Sequence, residues 1–287
     1  MDYINKKISK WMPEESPKVA VDAHPRLSGI MDTINATDAH GPATKLPAEF
    51  YDKTARQYMN QIAVDEWFAG YNESNEYRKL GIGALLGDVV DRMVSTAVDG
   101  SWSSATSASG TSSEAKHIKM ALSGCHDTTL ASILSSVGAF DSKWPPFTSS
   151  IAVELFSRSN PTAPSSQPTT TTTASSSKDT GLFSLFSNQS PPTDTARTPL
   201  SELPPSARTS LQSHYVRIRY NDVPVRIPGC AAKPENHLPG NDTFCTLDAF
   251  KEIVDKFTPK SWTNECMQNL GQGLYGPDGR EKIPAGF

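Results

Sequence analysis

Nothing constrains this chain more than a stretch in which no core can form. From Ser157 to Ser213, 33 of 57 residues are Ser, Thr or Pro and only seven are charged. Such a composition offers too little apolar surface to offset the conformational entropy lost on ordering. It is expected to be a disordered insertion, so the fold has to be built from the residues on either side. One segment stands out within it. Gly181 to Ser187 (GLFSLFS) carries Leu-Phe pairs that could dock on a partner groove. The plainer reading of the whole stretch is a spacer.

The flanks are patterned. Residues 1–98 read as mostly helical, with apolar residues at three- and four-residue spacing in Phe50, Tyr51, Ala55, Tyr58, Met59 and Ile62. The same spacing recurs in Ile82, Leu85, Leu86, Val89, Val90 and Met93, which predicts a helix from about Gly81 to Val98. Residues 99–115 are Ser/Gly-rich and aperiodic, the composition of a loop. From Lys116 the character changes. His117 to Leu122 (HIKMAL) reads as a strand, Ser123-Gly124 as a tight loop, and Asp127 to Val137 as a helix. Lys143 to Phe147 (KWPPF) is a rigid turn. Ser150 to Phe156 and His214 to Tyr220 read as strands, so the insertion sits in the loop between them. Val223 to Ile227 pairs back across Asn221-Asp222 as a hairpin, and Thr246 to Phe257 is an amphipathic helix with a Thr cap. The pattern predicts an α/β chain: a helical region (1–98), then an α/β region (116–156 and 214–270), then a flexible tail (271–287).

Composition narrows the function classes. A formal net charge of −4, with no basic run, gives no electrostatic footprint for a nucleic acid, though it leaves room for a small phosphorylated substrate. No segment approaches the run of about 18 apolar residues needed to span a bilayer. Met1 to Pro13 has no apolar core of a secretory signal, so the chain reads as soluble and its localisation is open. Four cysteines, Cys125, Cys230, Cys245 and Cys266, lack the CxxC spacing of a zinc site. Cys230 and Cys245 bracket a Pro/Gly/Asn-rich loop that a disulfide could close.

The residues with chemistry are Ser123 to Leu130, SGCHDTTL. A His-Asp pair at a strand end, directly before a helix, sets an imidazole and a carboxylate where helix N–H groups converge, a place to hold an anion. The competing reading is structural: Asp127 is a helix N-cap and His126 a polar loop residue.

The order HDTT, KWPP, VRIRYN, PGC, CTLDAF and WTNEC between Lys116 and Cys266 closely resembles the C-terminal portion of the histidine acid phosphatases, of the acid and lysophosphatidic acid phosphatase type and fungal in character. Met31 to Pro47 and Tyr77 to Met93 resemble that family's helical cap more loosely. The resemblance implies part of an α/β sandwich with a cap, hydrolysis of phosphate monoesters through a phosphohistidine, and no metal or other cofactor. It implies that His126 binds the phosphoryl oxygens, and that Asp127 protonates the leaving group and then helps activate water. It also implies a Cys230–Cys245 disulfide and an unpaired Cys266. Cys125 lies outside the family's usual pattern and is expected to be a small buried residue. One departure matters. The family's nucleophile lies in an R-H-G-x-R-x-P motif, and no R-H-G triplet occurs in these 287 residues. Ala23-His24-Pro25-Arg26 and Ala39-His40-Gly41 have the wrong neighbours, and His40 is expected to be structural. The chain is therefore expected to begin inside the cap and to hold only the His-Asp half of the site, inactive alone. The alternative is a non-catalytic phosphoester-binding or regulatory module.

Overall fold

The computed structural model describes residues 1–99, 119–158, 198–271, 273 and 283–287. The 181–187 segment, and the 99–115 loop beyond Asp99, lie outside the described residues.

The N-terminal region is helical, as its periodicity predicts: α1 (Asp2–Ile8), α2 (Leu27–His40), α3 (Lys53–Glu73), α4 (Asn75–Arg78) and α5 (Ala84–Asp99). Helix α3 is the spine. Asp52 caps it by accepting the Ala55 N–H, and at 21 residues it is about 31 Å long. Ala55, Met59 and Ala63 close its first half on a core with Ile4, Ile8, Leu27 and Ile34. Further along, Val64 and Phe68 pack on Ala131 of α6 (Asp127–Ser136). The two cores are thereby linked through one rigid element. No helix among the described residues is long and apolar enough to cross a membrane.

The larger core lies on one face of an antiparallel sheet. Strands β1 (Ile151–Ser157) and β2 (His214–Tyr220) pair in register from Ile151↔Tyr220 to Ser157↔His214, so the Ser/Thr/Pro stretch does leave and re-enter through a hairpin. After α7 (Pro205–Gln212) and β2 come β3 (Val223–Pro224), α8 (Pro228–Ala231), β4 (His237–Leu238), β5 (Asn241–Thr246), α9 (Leu247–Asp255) and α10 (Trp262–Cys266). Asn221 and Asp222 both adopt positive φ, the conformation a two-residue hairpin turn requires. Alternation turns Ile151, Val153, Leu155, Val216 and Ile218 toward α5, α7 and α9. Glu154, Arg217 and Arg219 meet on the opposite face, where the Arg217 Nε–H donates to Glu154 at 2.7 Å. Helix α9 buries Leu247, Phe250, Ile253 and Val254, and Thr246 caps it through the Ala249 N–H.

Four expectations are corrected. The strand at His117–Leu122 does not form within its described part: residues 119–126 lack regular structure, and Met120 and Leu122 are 74% and 85% exposed. An extended segment needs a neighbour for its N–H and C=O groups, and no described strand pairs with this one. The Ser/Thr/Pro-rich stretch is not disordered throughout, since residues 198–213 are ordered. Leu200 and Leu211 enter the main core, Leu211 is fully buried, and α7 packs on α5, α9 and β2. A few leucines at the end of a polar run suffice when a groove awaits them. The last residues of the tail, 283–287, are also packed rather than flexible. The Ile283 N–H donates to the Glu73 carbonyl, Ala285 is buried, and the Gly229 N–H donates to Gly286 O at 2.6 Å. Buried Arg78 donates to Ile283 O at 2.9 Å and to the Tyr71 and Asn72 carbonyls, so the chain end supplies an acceptor that this cation needs. Lastly, Asp127 is not the N-cap. His126 occupies that position with extended backbone, and Asp127 is the first helical residue.

Candidate active site

Helix α6 starts at the edge of an open cleft of about 700 Å³. His126 and Asp127 both line it, so the two sequence-predicted site residues are brought together. Asp127 accepts the Thr128 N–H on Oδ1 at 2.7 Å, which places its charge in the first turn of the helix. Its Oδ2 accepts the Trp144 indole N–H at 2.6 Å. His126 is exposed, and its carbonyl rather than its ring serves the helix start, accepting from Thr129 and Leu130.

Three other elements complete the walls. The start of α2 contributes Arg26, Ser28, Gly29 and Asp32. Arg26 is the cationic residue of the lining, and the α2 backbone adds the positive end of a 14-residue helix. Helix α3 contributes Trp67, and the KWPPF turn contributes Trp144, Pro145, Pro146 and Phe147. The aromatic wall is braced: Trp144 packs on Phe68 at 5.2 Å between centroids and edge-on to Trp67 at 6.0 Å. The lining therefore combines an imidazole (His126), a guanidinium (Arg26) and two carboxylates (Asp32 and Asp127) with aromatic and proline surface, and Asp127 is bonded directly to that surface through Trp144. The cleft can take an anion carrying an apolar group.

Sequence reasoning missed Arg26, Ser28, Asp32 and Trp67 in this role. Arg26 had a local signal, the His24-Pro25-Arg26 run, but only tertiary packing brings residue 26 to residue 126. Cys125 also corrects an expectation. It is exposed and lines the cleft, because the segment before α6 runs over the surface instead of through a sheet. His40 lies outside the cleft, exposed, with Nδ1 2.6 Å from the Thr44 hydroxyl. Cys230 and Cys245 form a disulfide that ties α8 to β5, and Cys266 is a free thiol.

The sequence profile of the histidine phosphatase superfamily (branch 2) matches residues 8–186, more than half of the chain. The chain belongs to this family. Among its curated relatives, a probable acid phosphatase of Schizosaccharomyces pombe is 36% identical over 250 residues, which is 87% of this chain and 49% of that protein. Lysophosphatidic acid phosphatase type 6 of Pongo abelii is 28% identical over 152 residues, covering 52% of this chain and 32% of the relative. The chain thus spans about half the length, or less, of the curated relatives it matches. Membership in the histidine phosphatase superfamily agrees with the helical region and antiparallel sheet described above.

Proposed function

We propose that the cleft at the start of α6 is one half of a site that hydrolyses phosphate monoesters, with His126 binding the phosphoryl oxygens and Asp127 serving as proton donor. The adjacency of these two side chains at the helix start, in a cleft that also holds Arg26, carries the reading. Imidazole and guanidinium donors stabilise the charge that builds on the transferring phosphoryl group. In the complete site, the nucleophilic histidine of the complementary half forms a P–N bond as the ester P–O bond breaks, and Asp127 gives its proton to the departing alkoxide oxygen. In the second half-reaction the carboxylate takes a proton from water, whose oxygen attacks the phosphohistidine phosphorus and releases inorganic phosphate and the free histidine. The aromatic and proline wall flanks the leaving group, which favours acid and lysophosphatidic acid phosphatase types of substrate.

The nucleophile is the missing partner in this scheme. No R-H-G triplet stands among the 287 residues, so in our reading His126 and Asp127 form one half of a two-part site. A second reading follows from the same observation: the chain binds phosphoesters without turning them over. Titration with inorganic phosphate, alongside p-nitrophenyl phosphate hydrolysis, tests both. The expected result for the 287-residue protein is phosphate-dependent thermal stabilisation, lost in His126→Ala, with no turnover. Turnover abolished by Asp127→Asn would support the acid role and remove the two-part site. Unchanged phosphate stabilisation in His126→Ala would overturn the assignment of this cleft.

A further inference from the structure

We infer that Trp144 is a positioning residue for Asp127, an inference that rests on the proton-donor reading of Asp127 above. The observation is a pair of bonds that together hold one carboxylate. Oδ1 accepts from the Thr128 backbone at 2.7 Å and Oδ2 from the Trp144 indole at 2.6 Å. The first bond alone leaves the carboxylate free to swing about the anchored oxygen. The second, made from across 17 positions of sequence, sets its plane and the direction of its remaining lone pairs.

Trp144 is itself held in place. Its ring packs on Phe68 and Trp67 of α3, and Pro145 and Pro146 follow it, which restricts its backbone to extended conformations. Pro145 is buried, so the turn is fixed to the body of the protein. A proton donor must reach one oxygen of the substrate within hydrogen-bond distance, and small angular errors are costly. A braced indole supplies that precision. It also acts at the right moment: an N–H bond to an ionised carboxylate is about twice as strong as one to a neutral acceptor, so this bond tightens as Asp127 gives up its proton. The plainer account is that a half-buried Trp has simply found an acceptor for its N–H. The two accounts differ in whether Trp144 acts through Asp127.

Two measurements on the 287-residue protein separate them. The chain has five tryptophans, and Trp144→Phe identifies the Trp144 indole cross-peak in a proton–nitrogen spectrum by its disappearance. If that variant is insoluble, Trp144→Tyr serves the same purpose. In Asp127→Asn, the Trp144 indole peak is expected to move further than the other four; an unmoved peak would overturn the contact. The second measurement is a double-mutant cycle on inorganic phosphate affinity. Trp144→Phe releases a negative charge into the cleft and is expected to weaken phosphate binding about threefold, toward the lower end of coupling between contacting residues. In the Asp127→Asn background the same substitution is expected to change nothing. Equal losses in both backgrounds, or no loss in either, would reduce Trp144 to packing. Failure of the functional reading looks different: His126→Ala would then keep phosphate affinity, while the indole peak still reports on Trp144 and Asp127.

Discussion

Leu211→Ala tests whether the end of the Ser/Thr/Pro stretch belongs to the fold. Leu211 is fully buried in α7, in the cluster that holds Leu86, Val90, Val216 and Leu247. The substitution removes three carbon atoms, worth about 2.4 kcal/mol in transfer free energy at about 0.8 kcal/mol each. Incomplete collapse of the cavity raises the loss to about 3–4 kcal/mol. For a domain of this size, 3 kcal/mol lowers Tm by roughly 6–12 °C. Urea unfolding followed by far-ultraviolet circular dichroism measures it, with Thr209→Ala on the exposed side of the same helix as reference. The reference is expected to stay within about 0.5 kcal/mol of the parent. If Leu211→Ala did so too, α7 would not be docked and the ordered end of the Ser/Thr/Pro stretch would be refuted.

Three further outcomes are expected. Gly83 sits where a Cβ would overlap the Phe257 carbonyl oxygen, so Gly83→Ala should push the backbone just after α9 away from the helical segment Lys79–Gly83 that leads into α5 and sharply reduce soluble yield; normal yield and Tm would contradict that packing. Replacing Cys230 and Cys245 together by Ala opens a loop of 15 residues and should cost about 3 kcal/mol, read as a lower urea midpoint that dithiothreitol no longer changes. Asp52 is held down at a pKa of about 2 by its bond from Lys7, then by the Ala55 N–H and Tyr3. A depressed folded-state value stabilises the fold above the unfolded carboxylate's pKa, and that contribution is lost as pH falls from about 4 through about 2. Asp52→Asn should therefore be less stable than the parent at pH 6, with the gap closing toward pH 2; a gap independent of pH would assign the effect to helix capping alone.

Local pattern made several elements legible. The amphipathic face of α9 repeats every three or four residues, the alternation in β2 every two, and Asn221-Asp222 is a turn by its own backbone preferences. These signals act within one or two turns of chain, so they survive without tertiary information. The residues that failed were those whose state depends on a distant partner. His117 to Leu122 alternates like a strand, yet no described neighbour pairs with it, and Leu122 ends exposed. Leu200 and Leu211 were hidden by averaging over a polar window, although a handful of apolar side chains was enough to dock α7. Arg78 gave no hint that its acceptor would come from Ile283.

The candidate site divides along the same line. His126 and Asp127 could be named from the chain alone, because they are neighbours in sequence and lie in an order of motifs that resembles a known family's. Their surroundings could not. Arg26, Trp67 and Trp144 reach the cleft only because α2, α6 and the KWPPF turn all pack against α3. Periodicity specifies which face of each helix is buried, but not which other face it meets. That choice is made by side-chain shape when the elements close on one another. Here it decided that Asp127, by its sequence an ordinary helix cap, became a carboxylate held from both sides at the mouth of a cleft.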